Sequence, residues 1–196
     1  CREHDLGLCH ISTDYVFGEG HDRPIAETDA PAPLSAYGAS KLAGEHLAAA
    51  ECEDHIIVRS AALYGKAPCR AKGGQNFVGL MLRLGREHGE VKVAGDEATS
   101  PTWTAALARQ IRVLAEKGQP GLYHASCRGG CTWHEFARAI FEFAGMDVAL
   151  QEINQRDFPS PVKRPSYSVL DNARLREEGL DFMPGWREAL QAYMGE

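Results

Sequence analysis

The sequence predicts an α/β protein built around a parallel sheet, and three observations carry that expectation. Short apolar runs alternate with longer stretches of helical period, the pattern of consecutive βαβ units. The 196 residues are 44% hydrophobic, enough for a substantial core. No repeat and no low-complexity tract interrupts the pattern. The first strand is expected at Leu8–Ser12, a brief apolar run following Gly7. A helix follows over Ser35–Glu51, after a Pro-rich loop at Pro24–Pro33. His55–Ser60 is the second strand, entered from charged Glu53 and Asp54. Gln75–His88 and Thr104–Lys117 have helical period and bracket a short strand at Val91–Val93. Gly121–Ala125 is a fourth strand. In Thr132–Ala144 the apolar residues Trp133, Phe136, Ala137, Ile140, Phe141 and Ala144 recur at three and four, giving one face that must pack on a core. A second Pro-rich loop spans Pro159–Pro165, and a last helix covers Gly185–Met194.

Charge and composition exclude several classes. Lys and Arg number 21 against 27 Asp and Glu, a net charge of −6, whereas nucleic-acid binders carry the opposite excess. No apolar run approaches the roughly 20 residues that cross a bilayer, so the reading is a cytoplasmic protein without a membrane partner. The six cysteines include no Cys-x-x-Cys pair, and reduced, mostly buried thiols are expected. The eight histidines lack the spacing of a zinc site. Cys127, Cys131 and His134 offer only three local ligands, His124 reads as strand packing, and no metal is expected from the residues.

The chemistry concentrates in two strings. Ile11-Ser-Thr-Asp-Tyr-Val-Phe17 runs from a strand end into a loop, and Pro33-Leu-Ser-Ala-Tyr-Gly-Ala-Ser-Lys41 opens a helix. Tyr37 and Lys41, four apart, share a helix face. An ammonium beside a phenol favours its ionised form, which brings proton exchange toward neutral pH. A hydroxyl from Thr13 or Ser12, at the carboxyl end of a strand where open α/β sheets bind ligands, could donate to the same carbonyl oxygen. An acid, a cation and a donor converging on one oxygen are what general acid catalysis requires.

Together the two strings resemble the extended short-chain dehydrogenase/reductases, and more narrowly the dTDP-4-dehydrorhamnose reductases. Arg59-Ser-Ala-Ala-Leu-Tyr-Gly65, Asn76-Phe77, Ser100-Pro-Thr-Trp-Thr104, Gly121-Leu-Tyr-His124 and Arg164-Pro-Ser-Tyr-Ser-Val-Leu-Asp171 agree in order, over nearly the whole chain. The resemblance implies a Rossmann-like sheet with a smaller substrate-binding α/β region. It implies boundaries at 1–65 and 105–130 for the cofactor-binding fold, and at 66–104 and 131–196 for substrate. It makes Tyr37 the general acid, Lys41 its partner and a nicotinamide ribose ligand, and Thr13 the group that polarises the carbonyl. Ser12, Tyr37, Lys41 and Arg59 are implied to bind the cofactor, NADPH with NADH as the alternative. Thr13, Tyr15, Asn76 and Arg164 are implied to bind a nucleotide sugar. Mg²⁺ and a homodimer follow from the resemblance alone. The implied reaction reduces a 4-keto-6-deoxyhexose; another nucleotide-sugar reductase or epimerase, or a regulatory subunit like the methionine adenosyltransferase beta subunit, are the alternatives.

A basic tract supports the phosphates of such a ligand. Arg59, Lys66, Arg70, Lys72, Arg83 and Arg86 fall between His55 and Arg86, where no acidic residue occurs. Two departures stand out. Ala62 occupies a place where the resembled reductases carry a tryptophan platform for the sugar. No glycine-rich phosphate loop occurs anywhere. With a strand reached so early, the expectation is a fragment lacking about 90 upstream residues, three βα units, and unable to bind NADPH alone.

Overall fold

The structure, a computed structural model, describes residues 1–67, 74–157 and 163–195. β1 (Leu8–Thr13), β2 (His55–Ser60) and β7 (Gly121–His124) form a three-stranded parallel sheet in the order β1-β2-β7. Registers run Leu8 to His55 through Thr13 to Ser60, and Ile56 to Gly121 through Arg59 to His124. β2 is central, and Ile56, Ile57 and Val58 are buried, as a strand paired on both edges demands.

α1 (Ala36–Glu51) crosses from β1 to β2 and packs on both. Its start is set by Ser35, whose hydroxyl accepts the Gly38 N–H at 3.1 Å. α3 (Thr104–Lys117) lies against β2, and Leu107 and Leu114 join Val58, Tyr123 and Leu175 in one core. These elements match their sequence bounds to within one or two residues.

The second region centres on β4 (Glu90–Ala94) paired in parallel with β9 (Ala149–Ile153), covered by α2 (Phe77–His88) and α4 (Trp133–Phe143). Asn76 caps α2, and Gly89 ends it in the left-handed conformation at φ 66°. A reciprocal capping box between Thr132 and Glu135 starts α4. Its apolar face, with Phe136, Ile140 and Phe141, fills the main core together with Met81, Val91 and Val93. α6 (Trp186–Gly195) packs on α4.

Several elements have no sequence signal. β3 (Leu63–Tyr64) pairs with β6 (Thr102–Trp103), and β5 (Ala98–Thr99) with β8 (Cys131–Thr132). Two-residue strands are too short for periodicity to register. β9 has the burial pattern of a half-exposed edge. α5 (Ala173–Glu177) packs on β7, and Leu170 bridges to Ile25. The segment 131–196 therefore returns to the first sheet, where Leu175 is fully buried, instead of staying wholly in the second region.

Candidate active site

Gly38 permits the contact on which the site is built. A Cβ at this position would stand 2.1 Å from the Tyr15 carbonyl oxygen, so only glycine lets the first turn of α1 reach the 3-10 turn Asp14–Val16 after β1. The Tyr15 and Tyr37 rings then meet edge-on, centroids 6.1 Å apart at 84°. Tyr37 is 54% exposed and open to a ligand. One turn on, Lys41 donates from Nζ to the Ile11 carbonyl. Thr13, Tyr15, Tyr37 and Lys41 are thus gathered around the carboxyl end of β1, where the sequence places them.

Thr13 is differently engaged from its expected role. Its hydroxyl donates to Asp14 Oδ1 at 3.0 Å and accepts the Tyr15 N–H at 3.2 Å. Asp14 is buried and also accepts the Ser168 hydroxyl at 2.7 Å. Burial pushes its carboxyl up to about 6, opposed by the hydrogen bonds from Ser168 and Thr13. To donate to a substrate carbonyl, the Thr13 hydroxyl must turn away from Asp14.

Ser12 and Arg59, implied to hold the cofactor, are instead buried structural partners. They are register neighbours on β1 and β2, and α1 lays Glu45 over them. Ser12 donates to Glu45, and Arg59 donates from Nε at 2.9 Å and from an Nη at 2.6 Å. Arg59 is 3% exposed and its guanidinium also lies 5.0 Å over the Phe17 ring. Its Nη1 is buried without a hydrogen-bond partner among the described residues. Glu45 completes a stripe with Tyr37 and Lys41 at four-residue spacing on α1.

Tyr15 also lines a cleft of about 700 Å³, with Asn76, Phe77, Glu97, Trp133 and Arg164 among its walls. Burial pushes the Tyr15 hydroxyl up to about 12, with Asp14 adding and Arg164 opposing. Asn76 acts first as a cap: it accepts the Gly79 N–H at 2.9 Å and donates to the Gly65 carbonyl at 2.6 Å. Arg164 stands half-exposed, 4.0 Å from Glu97. Glu97, buried at the cleft wall, carries no sequence signal. Of the basic tract, Arg83 lines the cleft and donates to Glu87 at 3.0 Å. Arg70 and Lys72 lie outside the described residues, as does most of the loop Pro159–Pro165.

His124 is fully buried at the end of β7, its Nδ1 at 3.0 Å from the Ile25 carbonyl and 3.2 Å from that of Asp171. Burial pushes it down to about 4, with Arg59 adding. It packs and holds two carbonyls, as its strand position predicts. Among the described residues no three His, Cys, Asp or Glu side chains converge.

The comparisons with known proteins agree with this architecture. The spore coat polysaccharide biosynthesis protein SpsK of Bacillus subtilis is 39% identical over 187 residues, covering 95% of this chain and 63% of its own length. The chain thus spans about three fifths of that relative. A dTDP-4-dehydrorhamnose reductase of Clostridium acetobutylicum superposes with a TM-score of 0.93 at 39% identity, over 99% of this chain and 67% of that one. The Bacillus anthracis dTDP-4-dehydrorhamnose reductase, solved with NADP, gives 0.89 at 40% identity over 95% of this chain and 64% of that one. The family model described as the RmlD substrate binding domain matches residues 1–196, the sheet, the helix stripe and the cleft alike, and the chain belongs to that family.

Proposed function

We propose that a protein carrying this chain reduces the 4-keto group of a dTDP-4-keto-6-deoxyhexose, dTDP-4-dehydrorhamnose first, using NADPH. The observation that carries this reading is the exposed Tyr37 with Lys41 on one face of α1, beside Thr13 and Tyr15 at the carboxyl end of β1. In it Tyr37 hands its proton to the carbonyl oxygen as hydride arrives at carbon. The ammonium of Lys41, anchored on Ile11, stabilises the phenolate that remains and is placed to hold a ribose hydroxyl. When bound, the nicotinamide supplies that hydride, and the chain supplies the geometry. Tyr15 carries the sugar between Tyr37 and the cleft, where Asn76 and Arg164 stand. The exposed phenol of Tyr37 and the ammonium of Lys41 fit the nicotinamide ribose end of such a cofactor.

A second reading rests on Ala62. It sits at φ 45°, a conformation few non-glycine residues adopt, and it has no ring to offer a sugar. A different 4-keto sugar nucleotide is then the substrate. The test is NADPH oxidation by the protein at its natural length, with dTDP-4-keto-6-deoxy-L-mannose beside dTDP-4-keto-6-deoxy-D-glucose. Turnover of the first supports dTDP-4-dehydrorhamnose as the substrate, and turnover of the second alone supports a different 4-keto sugar. No oxidation with either overturns the dTDP-4-keto-6-deoxyhexose reading.

A further inference from the structure

Glu97 follows β4 and precedes β5, and it is 5% exposed although it borders the cleft. Its Oε1 is buried and accepts no hydrogen bond of ordinary geometry among the described residues, although the Trp133 indole on the same cleft also acts on this carboxyl group. Its Oε2 faces Arg164 Nη1 at 4.0 Å, across a half-exposed guanidinium. Leaving a buried carboxylate oxygen without a donor is unfavourable, so such an atom at a cleft wall is a place for a ligand's hydrogen-bond donor. Its surroundings narrow the donor. Asp96 is spent on the Gln155 N–H at 2.8 Å, and Glu19 on the Ser166 hydroxyl at 2.6 Å. Arg164 already supplies the cation, so an ammonium would meet a like charge and a phosphate would meet the carboxylate. What remains is a neutral hydroxyl donor. Arg164 is itself held in place, since Ser166 donates to Glu19 and the Ser168 N–H donates to the Ala98 carbonyl at 2.8 Å.

We propose that Glu97, positioned by Arg164, is a specificity-determining residue of this cleft that accepts a hydroxyl of the sugar ring. The inference rests on the nucleotide-sugar reading and adds the atom that distinguishes sugar from nucleotide. Tyr15, on the same wall and in edge contact with Tyr37, links this hydroxyl to the reacting end.

The experiment compares calorimetric affinities for dTDP-L-rhamnose and for dTDP alone, in the protein at its natural length. The sugar should improve binding in the parent. Glu97→Ala should erase about tenfold of that improvement, the usual cost of stranding one hydroxyl, and leave dTDP within about twofold. Arg164→Ala, at a half-exposed position that tolerates truncation, should erase about threefold or more on the same basis, and keeps the test decisive should Glu97→Ala fail to fold. If every folded variant leaves the difference between the two ligands unchanged, or weakens dTDP equally, this inference is overturned while the reductase reading stands. If the parent binds neither ligand, the reductase reading itself fails, and the assignment with it.

Discussion

Tyr37→Phe keeps the ring that meets Tyr15 edge-on and removes only the proton. Turnover in an NADPH-oxidation assay should fall by roughly 10²- to 10⁴-fold, the worth of a general acid, while the thermal midpoint hardly moves. Retention of half the activity would assign the acid elsewhere. The opposite signature belongs to the buried pair beneath it. Arg59→Met leaves the Glu45 carboxylate buried without its cation, and should cost about 3–5 kcal/mol in urea unfolding. The double variant Arg59→Met, Glu45→Leu should recover most of that loss, because it strands no charge. A double variant as unstable as the single one would show that the pair itself, not the stranded charge, sets the cost.

Two glycines separate helix propensity from helix placement. Gly79, in the first turn of α2, would put a Cβ at 3.7 Å from Asn76 Oδ1, an ordinary contact. Gly79→Ala should therefore stabilise by about 0.5–1 kcal/mol. Gly38→Ala gains the same propensity but drives a methyl into the Tyr15 carbonyl, which as backbone cannot yield. A net loss of about 1–3 kcal/mol is expected, with a fall in turnover as α1 is pushed off the Asp14–Val16 turn. Equal melting shifts for the two variants would contradict the close approach. The Thr132–Glu135 box is a simpler element-scale case: Thr132→Ala should cost about 0.5–2 kcal/mol in urea unfolding.

Across the whole molecule, Asp14 and His124 set opposing pH slopes. Asp14 has a folded value of about 6 against its ordinary 3.8, so the folded chain keeps a proton that the unfolded chain releases, and this contribution falls as pH rises from about 4 to 6. His124 has about 4 against 6.5, so the unfolded chain takes a proton that the folded chain refuses, and its contribution rises from about pH 4 to 6.5. Asp14→Asn leaves the histidine slope uncancelled. Stability by urea titration should then climb with pH more steeply than in the parent, by on the order of 1 kcal/mol per pH unit between 4 and 6. Parallel curves would mean that Asp14 titrates as it does in water.

Long elements were legible in the residues because their period is local. α1, α3, α4 and β2 follow from the local pattern of apolar residues, whereas Tyr37 with Lys41 stands out through the family resemblance of the strings around it and not through the four-residue interval alone. The two-residue strands and α5 were not, since they exist only where distant segments bring partners: Thr102 to Leu63, Cys131 to Thr99, Leu175 to β7. The same distinction runs through the site. Charge type made Arg59 a ligand candidate, and only the β1–β2 register, which sets it beside Ser12 under Glu45, made it structure. Glu97 is one more acid in an acidic chain until the fold closes β5 against the segment after Arg164. Sequence by itself determined which residues could do acid chemistry and on which helix face. Tertiary structure decided which polar groups were satisfied by the protein and which were left for a ligand, because hydrogen-bond satisfaction depends on neighbours many residues away.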